Sequence, residues 1–201
     1  MTQKAYKLTF FSIFWAVSAF AEPFSGPNPA PCPCEDGREF TKTINREFDQ
    51  LPNGTTALYN KYGKVDVKTW AQNKVKIDVN IIVNANSQSE ADRAFERIRV
   101  DFYNSNGYVK AETQFEDGGS VNNSWWGAFS SWGGSNSCND FKINYDVYLP
   151  IGNSVDLKNK YGDSFLAALE GKLTAEIKYG DLRSEGLKND LTLDLGYGKA
   201  N

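Results

Sequence analysis

Tyr161-Gly162, Tyr179-Gly180 and Tyr197-Gly198 follow one another at intervals of 18 residues, and a period this short restricts the chain to architectures that lay one small unit beside the next. The residues upstream of each pair repeat with it. Val155 and Leu157 align with Leu173 and Ala175 and with Leu191 and Leu193, while Asp156, Glu176 and Asp194 take the alternate, outward positions of period-two strands. Asp163 and Asp181 follow the glycine in two copies, and Asn60-Lys61-Tyr62-Gly63 matches Asn159-Lys160-Tyr161-Gly162 residue for residue. Eighteen extended residues have a contour of about 60 Å and neighbouring strands lie about 4.8 Å apart, so the repeat predicts an all-β solenoid with one coil per period. Glycine after each tyrosine predicts a corner with positive φ, a conformation that other residues reach only with strain.

The chain ahead of the repeat divides into several parts. Lys4 and Lys7 precede an apolar run from Leu8 to Phe20 that closes on Ala19-Phe20-Ala21, the pattern of an export leader over residues 1–21, with the mature chain starting at Glu22. Residues 22–37 carry five prolines, Gly26 and Gly37, a composition that keeps a linker extended and unpaired. The remainder, residues 38–201, reads as one strand-dominated domain. Phe40 to Phe48 leads into Thr55 to Tyr62, and Val75, Ile77, Val79, Ile81 and Val83 alternate on one face of a strand. Ser87 stands three residues before Glu90, and Ala91, Ala94, Phe95 and Ile98 follow at helical intervals, so one short helix is expected within about residues 87–100. Alternation returns at Val109, Ala111, Thr113 and Phe115, stops in the Gly/Ser/Asn-rich stretch 118–139, and resumes from Phe141 to Leu149, where the Tyr-Gly coils of residues 140–201 begin.

Composition removes several chemistries. The chain contains no histidine, which excludes the commonest general base, the commonest metal ligand and every Ser/His or Cys/His nucleophile pair. Its 25 acidic residues outnumber 22 basic ones, and the leader holds two of the lysines, so a nucleic-acid partner is not expected. The cysteines are Cys32, Cys34 and Cys138. In an oxidising compartment this set predicts one disulfide from Cys138 to either Cys32 or Cys34, and it lacks a fourth ligand for zinc. No cofactor and no metal site is expected.

A strand ending in Tyr145-Asp146-Val147-Tyr148-Leu149-Pro150, followed by Leu157-Lys158-Asn159-Lys160-Tyr161-Gly162-Asp163 and further Tyr-Gly coils, resembles a bacterial putative-adhesin family related to the auto-transporter adhesin head GIN domain. The resemblance reaches upstream through Asn60–Gly63 and the segment Ala91–Ile98. It implies an exported right-handed β-helix of about 18 residues per coil with one inserted helix, and it carries over no catalytic residues. Such proteins run on for several more coils, whereas this sequence reaches Asn201 three residues after Gly198. An unpaired solenoid edge is normally capped, so the resemblance predicts either further coils or a partner over that edge.

Four groups of residues are candidate sites. Trp125, Trp126, Phe129 and Trp132 stand among glycines, serines and asparagines, where aromatic faces suit sugar rings or apolar partner patches. Folding back over the core is the commoner fate of such rings. Tyr161, Tyr179 and Tyr197 could form an exposed stacking ladder, but they share strand parity with inward Val155 and Leu157, which favours burial or corner packing. Asn159 has the same parity and is expected to satisfy backbone groups at a turn. Asp163 and Asp181 invite a calcium reading, but the glycine pairs of the calcium-binding nonapeptide repeat are missing, and aspartate is a common corner residue. The acids Asp156, Glu176, Asp194, Asp163 and Asp181 could serve a polysaccharide lyase or hydrolase, although repetition suits a structural ladder better than a unique acid/base pair. The expectation is a non-enzymatic protein of the periplasm, outer-membrane surface or exterior. Its expected partner is a protein or glycan of the cell envelope, with self-association through the open edge as a further route. An envelope-sensing protein partner is the third reading.

Overall fold

The computed structural model of the chain describes residues 37–116 and 141–201. The expected leader, nearly all of the proline-rich segment, Cys32, Cys34, Cys138 and the aromatic stretch with Trp125, Trp126, Phe129 and Trp132 lie outside the described residues.

Alternation sets the strands. In β4 (Lys74–Ala85) the side chains of Val75, Ile77, Val79, Ile81 and Val83 are all fully buried, as alternate positions of a half-buried strand should be. β1 (Arg38–Asp49), β2 (Thr55–Tyr62) and β3 (Val65–Trp70) precede it. β5 (Ile98–Ser105), β6 (Tyr108–Phe115) and β7 (Phe141–Pro150) follow it, and the Tyr-Gly region contributes β8 (Ser154–Tyr161), β9 (Ser164–Leu166), β10 (Leu173–Tyr179), β11 (Leu182–Ser184) and β12 (Leu191–Tyr197). Among the described residues the one helix is α1 (Gln88–Arg97), which buries Ala91, Ala94 and Phe95. Its start is held reciprocally. The Glu90 N–H donates to Ser87 Oγ at 3.3 Å, and the Glu90 carboxylate accepts from the Asn86 N–H at 3.0 Å.

The strands form two six-stranded mixed sheets, one ordered β1-β4-β7-β3-β9-β11 and the other β12-β10-β8-β2-β6-β5. Their inner faces contribute to one hydrophobic cluster that includes Ile77, Ile81, Tyr145 and Leu166 from the first sheet and Leu58, Leu157, Leu173 and Ile177 from the second. Three polar side chains inside it are linked. Tyr145 is fully buried, its hydroxyl 2.8 Å from Thr113 Oγ1, which in turn donates to Asn60 Oδ1 at 3.3 Å.

The expected right-handed β-helix is not what this chain forms: all-β holds, but the sheets are two, mixed, and not closed. β1 pairs antiparallel with β4, β4 with β7, and β5 with β6, whereas a chain wound continuously in one sense would pair only in parallel. The 18-residue period reports a shared register and nothing about winding elsewhere. β10 does lie parallel to β8 and β12 with Tyr179 opposite Tyr161 and Tyr197. The neighbour on the other side of β8 is β2, with Tyr62 opposite Tyr161, and between β3 and β8 the chain leaves to build β4, α1, β5, β6 and β7.

Candidate functional site

Each Tyr-Gly step carries the chain from the second sheet to the first, from β2 to β3, β8 to β9 and β10 to β11. Gly63, Gly162, Gly180 and Gly198 have φ of 118°, 140°, 157° and 154°. A second constraint is steric. A Cβ on Gly162 would overlap the carbonyl of Gly63, one on Gly180 that of Gly162, and one on Gly198 that of Gly180. The turns therefore stack backbone on backbone, joined by hydrogen bonds from Gly63 N–H to the Tyr161 carbonyl (2.8 Å), Gly162 to Tyr179 (2.9 Å) and Gly180 to Tyr197 (3.1 Å).

Stacked turns bring the tyrosines into one ladder. Ring centroids of Tyr62 and Tyr161, of Tyr161 and Tyr179, and of Tyr179 and Tyr197 are each 5.1 Å apart, with interplanar angles of 8°, 7° and 4°, within the range of stabilising aromatic stacks. At the inner end Phe115 and Phe141 meet Tyr62 edge-on at 5.8 and 5.1 Å. Exposure then rises along the stack: Tyr62 and Tyr161 are half-buried, Tyr179 is 46% and Tyr197 71% exposed. Inward parity is lost at the corner, so these rings pack on one another beside the core. Tyr62 and Tyr197 each stack on one tyrosine, and Tyr62 is met by the two phenylalanines at its end of the ladder.

Asparagine and aspartate tie the corners together. Asn159 is buried and donates through Nδ2 to the Gly162 and Gly63 carbonyls at 2.9 and 3.1 Å. The Asp163 carboxylate accepts from the Asp181 N–H, and that of Asp181 from the Lys199 N–H, both at 2.9 Å. Asn144 Oδ1 accepts from Lys64, the residue after Gly63, at 3.0 Å. Among the described residues no group of three or more His, Cys, Asp or Glu side chains is placed to hold a metal ion.

The repeated acids lie on the outer face of the second sheet, each against a partner. Asp156 accepts from the Tyr59 hydroxyl at 2.6 Å, and burial followed by this hydrogen bond to a carboxylate pushes the Tyr59 phenol upward. Glu176 lies 3.8 Å from Lys158 and 3.4 Å from Lys178, and Lys178 lies 3.2 Å from Asp194. The hydrogen bond to Asp194 raises the Lys178 pKa, with Glu176 adding to it. Glu176 and Asp194 stand opposite each other in register, and Lys178 on the Glu176 strand bridges the two acids. An open cleft of about 290 Å³ lies elsewhere, lined by Asp49, Gln50, Leu51 and the β5–β6 turn at Asn104–Gly107, and takes in none of the residues selected from sequence.

Two elements of the site were not picked out from sequence. Tyr62 belongs to the ladder, and the match of Asn60–Gly63 to Asn159–Gly162 was the signal for it. The other is the exposure of the β12 leucines, expected to face inward: Leu191 is 48% exposed and Leu193 and Leu195 are half-buried. No local pattern separates these leucines from their buried counterparts in β10.

No family model matches the chain, and no curated protein matches it. Among solved structures it is similar to a putative cell adhesion protein from Clostridium sporogenes, at 11% identity and a TM-score of 0.36 over 80% of this chain and 98% of the other. It is also similar to a putative adhesin from Bacteroides fragilis, at 9% identity and a TM-score of 0.27 over 79% of this chain and 96% of the other. Both are described as adhesins, and likeness at this level carries no argument about what this chain does.

Proposed function

We propose that this chain is an exported, non-enzymatic binding or scaffolding protein of the cell envelope, adhesin-like in role, whose partner is an envelope protein or glycan. The observation that carries the proposal is the tyrosine ladder, which ends on the 71%-exposed ring of Tyr197 at the rim of a sheet. Rings held by ladder stacking and by close-packed glycine turns lose little further freedom on contact, and preorganised aromatic surface binds at low entropic cost. Lys4, Lys7 and the apolar run to Ala21 support export. The acidic balance of the chain supports a partner other than nucleic acid. The ion-paired row of Glu176 and Asp194 fits a structural role more readily than acid/base chemistry.

Fractionation of the source cells with sequencing of the mature N-terminus tests export, and retention of the full chain on envelope fragments tests binding. The expected results are a chain starting at Glu22 and retention that falls severalfold in Tyr179→Ser/Tyr197→Ser. A cytoplasmic chain retaining Met1, or equal retention of the double variant, overturns the proposal. Release of reducing ends from envelope polysaccharide by the wild-type chain would replace it with a polysaccharide-active enzyme.

A further inference from the structure

β1 and β5 are the ends of the two sheets that lie farthest from the Tyr-Gly repeats. Phe48 on β1 and Phe102 on β5 meet with ring centroids 6.1 Å apart, and the Arg46 guanidinium lies 5.6 Å over the Phe102 ring. These contacts close the seam between the sheets. Two residues further along each chain, at Gln50 and Asn104, the seam opens into the cleft of about 290 Å³. One wall is the chain leaving β1 at Asp49–Leu51, and the other is the β5–β6 turn at Asn104–Gly107.

Both walls are fastened to the start of β2. The Thr55 N–H donates to the Gly107 carbonyl at 2.8 Å, and Gln50 Nε2 donates to the Thr55 carbonyl at 3.1 Å. Gln50 is buried; its Oε1 accepts from the Leu51 N–H at 3.0 Å, and its own N–H donates to the Asn73 carbonyl at 3.0 Å. Gly107 has a φ of 78°, and a Cβ there would lie 3.2 Å from Leu51 Cδ1, so the turn passes close by the leucine. Groups held in this way lose little freedom when a ligand arrives.

The fixed walls present polar groups and a single acid. Asp49, Asn104, Ser105 and Asn106 are exposed, and among the described residues none of these four side chains makes a hydrogen bond or ion pair. No Lys or Arg lines the cleft, and no group of acids among the described residues is placed for a metal ion. Leu51 adds an aliphatic surface that is 52% exposed. Amides and a hydroxyl both donate and accept, which suits a ligand rich in hydroxyls, and the Asp49 carboxylate disfavours an anionic one. We infer that the cleft is a saccharide site: it takes one uncharged pyranose ring of an envelope glycan, with its hydroxyls on Asp49, Asn104, Ser105 and Asn106 and its C–H face on Leu51. The volume lies at the small end of ligand sites, which begin at about 300 Å³, and suits a single ring. The inference rests on the binding role proposed above and names its ligand as a glycan.

The test is a titration of the full, isotope-labelled chain with the methyl glycosides of glucose, galactose, mannose and N-acetylglucosamine, read by the NMR shifts of assigned backbone amides. At least one glycoside should shift the amides of Leu51 and Asn104–Gly107 saturably, with a dissociation constant on the order of 1 mM. Binding should weaken by about tenfold in Asn104→Ala/Asn106→Ala, which removes two side-chain hydrogen bonds to the sugar. The uronic acid of the same sugar should bind severalfold more weakly than the neutral glycoside, and that difference should narrow in Asp49→Asn. Unchanged amide shifts in β4 and β7 show that each variant folds. No saturable shift with any of the four glycosides, shifts centred away from the cleft, equal binding by Asn104→Ala/Asn106→Ala, or tighter binding of the uronic acid overturns the inference. Envelope retention of a chain that no glycoside shifts rejects the cleft as a saccharide site and leaves the proposed function standing, while glycoside binding in the cleft of a chain that is cytoplasmic and not retained does the reverse.

Discussion

The carboxylate of Asp163 accepts a hydrogen bond from the backbone N–H of Asp181 at 2.9 Å, so the acid of one turn holds the main chain of the next. Asp181 does the same for Lys199. These side chains are exposed, and their value to the fold lies in pinning the spacing of the glycine turns. Asp163→Ala should cost about 1 kcal/mol in urea unfolding at neutral pH. Asp163→Asn keeps an acceptor oxygen and should recover most of that loss.

Gly180 tests the turn contact itself. Its φ is positive and any Cβ would overlap the Gly162 carbonyl, so Gly180→Ala should lower stability by about 2 kcal/mol or more, and Gly180→Val further. Gly186, where a Cβ would meet nothing within 4 Å, is the control. Gly186→Ala should stay within about 0.5 kcal/mol of wild type in the same thermal melts.

Asn159 occupies a buried position that Ile177 takes on β10. Its amide donates to the carbonyls of Gly162 and Gly63. Asn159→Leu makes the position apolar like Ile177 yet removes this donor from both carbonyls, of which Gly63 keeps a 3.4 Å bond from Asn60 Nδ2, and should cost about 2 kcal/mol. Ile177→Leu, which only reshapes the core, should cost less than about 1.5 kcal/mol. Asn159→Asp should be the most damaging of the three, because it brings a carboxylate against two carbonyl oxygens.

The tyrosine ladder should show graded energetics. Tyr161 stacks between Tyr62 and Tyr179 and is half-buried, whereas Tyr197 stacks on one side only. Tyr161→Ala is expected to lose about 2 kcal/mol and Tyr197→Ala about 0.5–1 kcal/mol. Equal losses in denaturant titrations would contradict a stack that weakens toward the edge.

Burial pushes the Tyr145 phenol above its ordinary value, and the bond to Thr113 partly offsets the shift. A phenol raised in the folded state contributes its full stability below the unfolded value of about 10 and loses it as pH climbs through the folded value. Stability should therefore fall as pH rises above about 10. Tyr145→Phe should flatten that fall while costing about 1 kcal/mol at pH 7 through the lost hydroxyl contact. Denaturant unfolding at pH 7 and at pH above 10 checks both signs.

Some of this was legible in the residues. The alternation of Val75 to Val83 gives a strand with one fully buried face, and the Ser87/Glu90 spacing gives a helix start with both capping bonds formed. Those features depend on neighbours within a few positions along the chain. The match between Asn60–Gly63 and Asn159–Gly162 corresponds to a direct pairing of β2 with β8, which the sequence marks without saying why two distant segments should meet. The antiparallel placement of β4 between β1 and β7 left no such mark, and it is what overturned the coil winding expected from the period.

By itself the sequence determined the period, the register in which Tyr161, Tyr179 and Tyr197 align, and the need for glycine after each of them, because these follow from side-chain alternation and backbone sterics acting locally. Tertiary structure alone decided that the strands would divide between two mixed sheets, and that the tyrosine stack would run from Phe115 and Phe141 at its inner end to an open rim at β12. The physical reason is that exposure belongs to a position in the assembled sheet. Leu173 and Leu191 occupy equivalent places in the repeat, yet Leu173 is fully buried and Leu191 is 48% exposed, since β10 has a strand on either side and β12 has one.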